Sequence, residues 1–256
     1  MKPSIVIDCF SKNGLRYRTG YAVVAIDVIR ATTVAITAVA SGWRCFPVAS
    51  LEEATEIASF FTNSLLMGEL SGDMPDSFEM NNSPAELVTR TDLHRPIVLL
   101  SSNGTKLIAT ARSSDATYLA CLRNFRGVAH QLAGKHERIA IIGAGSRGEF
   151  REEDQMCCAW IGELLAQQGY RPENAATEEI IAKWSGAPAS AFIPSKSVDY
   201  LRRTDQLNDL DYILEHVDDL RSTYVMEGGE VIAMHQPQTI IINRPITDPA
   251  VPVKAA

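Results

Sequence analysis

The chain has 256 residues, 46% of them hydrophobic and 21% charged, which is enough to bury a continuous core and too apolar for a disordered polypeptide. Its formal net charge of -7 argues against the basic footprint of a nucleic-acid or anionic-membrane binder. An anionic small molecule stays a compatible ligand, provided cations, a metal or backbone N–H groups are concentrated around it.

In chain order, the first apolar run, Ile5–Ile7, ends at Asp8, too early for a signal peptide. Further β-rich runs follow at Ala22–Ile29, Cys45–Val48, Leu65–Met67, Ile97–Leu100, Thr117–Cys121, Ile139–Ile142 and Thr239–Ile242. Helical periodicity falls between them, at Thr32–Ala40, Leu51–Thr62, Pro84–Thr91, Thr105–Ala111, Asn124–Ala133, Glu153–Gln168, Glu173–Lys183 and Leu207–His216. None of the runs approaches the roughly 18 apolar residues of a membrane span. Apolar strands separated by amphipathic helices predict an α/β fold with a sheet covered on both faces. Ala22–Ile26 offers no polar face and is the expected central strand. Gly68–Asn82, polar and rich in turn residues, reads as a long functional loop. The segment Glu227-Gly228-Gly229-Glu230 reads as the turn of a late hairpin. One compact unit over 1–256 is expected, with a smaller C-terminal lobe from about residue 170 as its one subdivision. The five cysteines, Cys9, Cys45, Cys121, Cys157 and Cys158, are odd in number and form no C-x-x-C pair. Free thiols in a reducing cytoplasm are the expectation.

Five strand ends carry polar clusters, which is where an α/β sheet presents side chains together with helix N–H groups. They are Asp27 and Arg30 with Thr32 and Thr33, then Gly68-Glu69 and Gly72, then Asn82-Ser83-Pro84-Ala85-Glu86. The fourth is Ser101-Ser102-Asn103-Gly104-Thr105 and the fifth Gly143-Ala144-Gly145-Ser146-Arg147-Gly148, leading to Glu152-Glu153-Asp154. Each has an ordinary structural use: a threonine cap, a Ser/Pro helix start, a tight turn, an acidic first helical turn. Taken together they supply carboxylates, hydroxyls, amides and arginine, the inventory for a hard cation and a phosphate.

Other chemistries fit these residues less well. Gly143-x-Gly145-x-x-Gly148 matches a dinucleotide fingerprint, but it runs into a charge-dense segment and no strand ending in an acid is expected about 20 residues on. No cysteine is followed by arginine across five intervening residues, as a cysteine phosphatase requires. Asp27 suits an aspartyl phosphatase, but Ile29 stands where the second acid belongs. His94, His130, His136, His216 and His235 show no metal-ligand spacing and read as surface or structural residues.

The ordered set Ile26-Asp27-Val28-Ile29-Arg30-Ala31-Thr32-Thr33, Gly68-Glu69-x-x-Gly72, Asn82-Ser83-Pro84-Ala85-Glu86, Asn103-Gly104-Thr105 and Ala144-Gly145-x-x-Gly148-x-Phe150-x-x-Glu153-Asp154 resembles the 2-phosphosulfolactate phosphatase family of coenzyme M biosynthesis. The resemblance spans about residues 5–235. It departs at Phe78-Glu79-Met80-Asn81, where the family approaches Asn-Ser-Pro with glycines, and at Ser101-Ser102, where threonines are usual. It implies a three-layer α/β/α fold with a mixed, mostly parallel sheet, and a Mg²⁺-dependent phosphatase acting on a small phosphorylated sulfonate or carboxylate. On that footing Asp27, Glu69 and Asp154 are the expected Mg²⁺ ligands, with Glu153 a substitute ligand or base and Arg30 the phosphate clamp. Thr32, Thr33, Asn82, Ser102, Asn103, Gly104 and Thr105 are expected to line the substrate, and Arg147 to hold its carboxylate or sulfonate. The expected setting is cytoplasmic and homo-oligomeric, with neither nucleic acid nor membrane as partner. The rival readings are an NAD(P)-linked oxidoreductase using the glycine run and a non-catalytic phosphometabolite-binding protein.

Overall fold

The computed structural model describes residues 2–10, 16–146 and 148–234. The segment Ala22-Val23-Val24-Ala25-Ile26 forms strand β2 (Ala22–Ile26) with all five residues buried, so both of its faces are covered. It pairs in parallel with β6 (Ala116–Ala120) on one side and β7 (Arg138–Gly143) on the other, Ile26 lying opposite both Ala120 and Gly143. β1 (Ser4–Cys9) and the two-residue β8 (Arg171–Pro172) continue the sheet in parallel beyond β7. On the other side, β9 (Thr223–Glu227) and β10 (Glu230–Met234) form the expected hairpin, and β9 runs antiparallel to β6. The order is β10-β9-β6-β2-β7-β1-β8, a mixed and mostly parallel sheet.

Side chains alternate across this sheet, as the two-residue period of a strand dictates. Ile5, Ile7, Val24 and Ile26 face a core built with α5 (Phe125–Leu132), α6 (Glu152–Gln167), α7 (Ala175–Trp184), α8 (Lys196–Arg203) and α9 (Leu207–Glu215). Val6, Val23 and Ala25 face a second core built with α1 (Ala31–Ala40) and α4 (Gly104–Ala111). Helices thus cover both faces, in the expected three-layer arrangement. Each fully buried aliphatic side chain contributes roughly 1.5–3 kcal/mol.

Three of the expected strands leave the main sheet. β3 (Cys45–Val48), β5 (Ile97–Leu100) and β4 (Leu65–Gly68) form a separate parallel sheet in the order β3-β5-β4. The reason lies in α1, whose residues Ala31 to Ala38 are all buried. Its alanines and threonines let it pack against β6 and β10 on one side and β3 and β5 on the other, separating the two sheets. α2 (Leu51–Ser59) covers β3 and β5 from outside.

Other boundaries moved for local reasons. The Ala22–Ile29 run stops being strand at Ile26, because the amides of Asp27 and Val28 leave the ladder to donate to Thr32 Oγ1 and Asp154 Oδ1. The helix expected over Pro84–Thr91 is a single turn, α3 (Pro84–Leu87), closed by i→i+3 bonds from the Thr89 and Arg90 amides. α8 was not among the expected helices. The strand expected at Thr239–Ile242 and the residue His235 lie outside the described residues. All five cysteines are free, four of them buried. Among the described residues no helix is long and apolar enough to cross a membrane.

Candidate active site

The parallel strands of both sheets end on one cleft of about 1360 Å³. Asp27 follows β2, Glu69 follows β4, Ser101 follows β5 and Gly145 follows β7, and all four line it. Two sheets on either side of α1 therefore aim their C-terminal ends at one place, where the loops of an α/β protein gather its ligand-binding groups.

Asp27 and Asp154 form the acidic floor. Asp154 sits in the first turn of α6, where the helix N-terminus favours an anion. Its Oδ1 accepts from the Val28 amide at 2.8 Å and its Oδ2 from the Gly145 amide at 3.0 Å, which ties the β2 and β7 loops together. Glu153 is beside it, 1% exposed, with Oε2 lacking any hydrogen-bond partner among the described residues. Burial raises the Asp27 pKa to about 7, helped by the negative charge of Glu69 and Glu153 and opposed by the Ala31 amide and Arg30. Burial likewise raises Asp154, next to Asp27 and Glu153, and raises Glu153 itself. Three buried carboxylates in mutual repulsion are a costly arrangement unless a cation joins them. Among the described residues no three His, Cys, Asp or Glu side chains converge as a ready-made metal cage. Mg²⁺ does not require one, since it keeps several waters and binds through one or two carboxylates plus substrate oxygens. The donor set fits that ion.

Gly104 makes the floor possible. A Cβ at this position would lie 2.0 Å from Asp27 Oδ2 and 2.6 Å from the Ala31 Cβ. Only glycine lets the start of α4 sit directly on the Asp27 carboxylate.

Glu69 lines the cleft, but its carboxylate is engaged by protein donors. It accepts from the Ser102 amide at 2.6 Å, the Ser102 hydroxyl at 2.7 Å and the Gly72 amide at 2.8 Å. It clasps the β4 and β5 loops against each other. Ser102 Oγ in turn accepts from the Ser71 amide, so this hydroxyl serves the same clasp.

Arg30 lines the cleft while 4% exposed. Its Nη1 donates to Asp209 on α9, and its Nη2 donates to Asn81 Oδ1 at 3.2 Å. Asp209 also accepts from the Ser83 hydroxyl and, at 3.2 Å, from the Ala85 amide. Two of the five guanidinium N–H groups are thus spent on orientation, leaving three for a ligand.

The remaining expected residues separate into two groups. Asn82, Ser102 and Asn103 line the cleft. Asn103 precedes α4 without capping it by its side chain, and Asn82 Oδ1 is buried with no partner among the described residues. Thr32, Thr33 and Thr105 do not line it. Their hydroxyls donate to the carbonyls of Asp27 and Ala120, of Val28, and of Ser101 respectively. These threonines shape the loops from beneath, because strand-end hydroxyls satisfy backbone groups before any ligand is present. Glu153 is behind the wall as well. Ser197 of α8, near it, does line the cleft. Arg147 lies outside the described residues.

The glycine run does not make a dinucleotide cradle. The Gly145 amide is committed to Asp154, and a Cβ on Gly145 would meet Glu149 O at 2.3 Å. A strand does follow about 20 residues on, contrary to expectation, as β8 with Glu173 after it. That acid is at the opposite end of the sheet, bonded to Ser4, Tyr21 and Arg138. His136 and His216 are bonded to Tyr118 and the Tyr212 carbonyl, away from the cleft. Cys9 is not among the residues that line the cleft, and burial pushes its thiol up to about 12, away from the thiolate form.

Two features of the site could not be read from sequence. Asp209 is 179 residues from Arg30. The outer wall is α8, which brings Lys196, Arg202 and Arg203 to a cleft that Lys106 and Arg151 also line. The lone signal for it was a short basic and amphipathic stretch, Lys196-Ser197-Val198-Asp199-Tyr200-Leu201-Arg202-Arg203.

Fold and site define a three-layer α/β protein whose strand ends hold buried carboxylates against an anchored arginine. The profile described as 2-phosphosulpholactate phosphatase matches residues 10–224, and the chain belongs to that family. Similar curated proteins are named probable 2-phosphosulfolactate phosphatase. The one from Pseudothermotoga lettingae is 36% identical over 139 residues, 54% of this chain and 59% of the relative. The one from Symbiobacterium thermophilum is 37% identical over 150 residues, 57% of this chain and 64% of the relative. The matched stretch therefore spans about three fifths of each of these two relatives. A third, from Clostridium beijerinckii, is 30% identical over 164 residues, 63% of this chain and 68% of the relative.

Proposed function

We propose that the protein is a Mg²⁺-dependent phosphatase of a small phosphorylated sulfonate or carboxylate, with 2-phosphosulfolactate as the leading substrate and sulfolactate and phosphate as products. The observation that carries this reading is the pairing of Asp27 and Asp154, buried and mutually repulsive, with an arginine held in place across the same cleft. A family whose curated members bear the phosphatase name supports it.

Asp27 and Asp154 are the direct ligands in this reading, with Glu69 and Glu153 adding negative charge from either side. A bound divalent cation neutralises phosphoryl oxygens and makes an attacking water more acidic. Arg30, fixed by Asp209 and Asn81, holds the phosphoryl group through its free N–H groups, so little reorganisation is needed when charge develops. Asn103 lies at the start of α4, where the helix N-terminus favours an anion. Asn82 offers an unpaired acceptor to a hydroxyl of the substrate or of an ordered water. Water is the nucleophile rather than Asp27, because Ile29 stands where an aspartyl phosphatase carries its proton-donating acid.

Phosphate release is measured from 2-phosphosulfolactate, 2-phospholactate, phosphoglycerates and p-nitrophenyl phosphate, with Mg²⁺ and with EDTA. The expected result is Mg²⁺-dependent release with acid-bearing esters preferred. Release indifferent to EDTA contradicts the metal assignment. Tight NAD(P)H binding without phosphate release points to the oxidoreductase reading, and phosphoester binding without turnover to the non-catalytic one.

A further inference from the structure

Lys196, Tyr200 and Arg203 recur at the i, i+4, i+7 spacing of a single face of α8, and all three line the cleft. The helix is pinned in that orientation by Val198 and Leu201, which are buried in the core on its other side, and by the Tyr200 hydroxyl, which donates to Gly72 O at 2.6 Å. Its ion pairs are loose or local. Lys196 faces Glu149 at 3.8 Å with both side chains 74% exposed, and Arg202 pairs with Asp199 one turn earlier. Arg203 has no acidic partner among the described residues. Arg151, the residue preceding α6, brings a further cation to the same cleft. On a protein of net charge -7, Arg151, Lys196, Arg202 and Arg203 outnumber Glu149 and Asp199 on this wall, so the local balance is positive.

The cleft is also larger than a phosphate requires. At about 1360 Å³ it exceeds even the usual range of small-molecule pockets, roughly 300–1000 Å³. Its wall near Asp27, Asp154 and Arg30 provides for the phosphoryl group. The basic face of α8 is a different wall on different elements, and the hydrolytic step gives it no task. We propose that Lys196 and Arg203, together with Arg151, form a subsite for a second anionic group, a carboxylate or sulfonate carried by the same small molecule whose phosphate meets Arg30. The inference rests on the phosphatase reading and assigns to these side chains the choice among phosphate esters. An ester bearing a further acid gains charge-assisted bonds there, whereas a neutral ester gains none.

The test uses the full chain and its Lys196→Gln/Arg203→Gln double variant. Both positions are exposed, so the variant is expected to fold, and its thermal melt checks this. The expected result is that the preference in kcat/KM for 2-phosphosulfolactate over p-nitrophenyl phosphate falls about tenfold or more, carried by KM rather than kcat. The difference between wild type and variant shrinks at high ionic strength, as exposed charges require. An unchanged preference, or a loss carried by kcat alone, overturns the subsite. A second readout needs no turnover: sulfolactate, which has the acids but no phosphate, is titrated calorimetrically into both proteins. Binding to wild type that weakens at least tenfold in the variant supports the subsite, and absent or equal binding overturns it. If wild type releases no phosphate from any ester, the phosphatase reading fails and this binding arm alone decides.

Discussion

Replacing Gly104 with alanine puts the geometry of the acidic floor to a direct test. The new Cβ would lie 2.0 Å from Asp27 Oδ2 and 2.8 Å from Asp27 Cγ, where real Cβ contacts stay above 3.0 Å. The gap is at least 1.0 Å (3.0 less 2.0), and something must give by that amount. The second contact, 2.6 Å to the Ala31 Cβ, has no side-chain torsion to relieve it, so α4 must also retreat from α1. Overpacking of this kind costs about 1–3 kcal/mol. Alanine inside a helix recovers up to about 1 kcal/mol relative to glycine. Stability therefore falls by about 0–3 kcal/mol. Catalysis suffers more, because a displacement of about 1 Å at a reacting group costs roughly 100-fold in rate. The expected signature is a slightly lowered melting temperature with a roughly 100-fold loss of Mg²⁺-dependent phosphate release. Gly134→Ala serves as a contrast, since its Cβ meets nothing within 4 Å and only its φ of +75° is strained. That variant loses stability and keeps activity. A Gly104→Ala protein with wild-type activity refutes the placement of Gly104 against Asp27.

Two further outcomes follow from the same buried groups. Asp209→Ala strips the partner from an arginine whose side chain is 3% exposed, so denaturant melts should show a loss of about 3–5 kcal/mol. Asp209→Asn, which retains hydrogen-bonding oxygen, should lose less, and a loss below about 1 kcal/mol in the alanine variant contradicts the Arg30 anchor. Without a divalent cation, stability should fall as pH rises. The folded protein keeps the Asp27 proton up to about pH 7, whereas the unfolded chain releases it near 3.8. In that window the native state binds more protons, so each step upward in pH favours unfolding. Asp154 and Glu153, raised for the same reason, act in the same direction. The melting temperature in EDTA should decline from pH 5 to pH 8, the decline should lessen in Asp27→Asn, and Mg²⁺ should stabilise the wild type more at pH 8 than at pH 5. A flat EDTA profile contradicts the buried-acid account.

The middle of the main sheet was legible because β2 is buried on both faces, and its neighbours β6 and β7 nearly so. β2 could be placed at its centre from five letters of sequence. Its partition from β3, β4 and β5 was not legible, since a parallel strand looks the same in either sheet and only the packing of α1 between them decides which strands meet. Asp27 and Arg30 after β2, and Asp154 in the first turn of α6, were recognisable as polar groups where strands give way to helices. The threonines at 32, 33 and 105 share that position and differ only in where their hydroxyls point, which a sequence does not record. Glu69 shows the same limit: a carboxylate after a strand can meet a ligand or clasp a neighbouring loop, and here its oxygens take three protein donors. Asp209 was missed because nothing local distinguishes it from any acid on a helix surface. α8 was missed because its eight residues carry only two buried apolar positions.

Asp27→Asn asks whether Asp27 and Asp154 hold a divalent cation for phosphate ester hydrolysis. Asparagine keeps the size of the side chain and removes the charge, so the fold should persist. Phosphate release from 2-phosphosulfolactate is followed in wild type and variant as Mg²⁺ is titrated after EDTA treatment. The expected result is saturable activation of the wild type and loss of activity in a folded Asp27→Asn protein at every Mg²⁺ concentration. A variant that turns over at the wild-type rate, or a wild type fully active in EDTA, contradicts it.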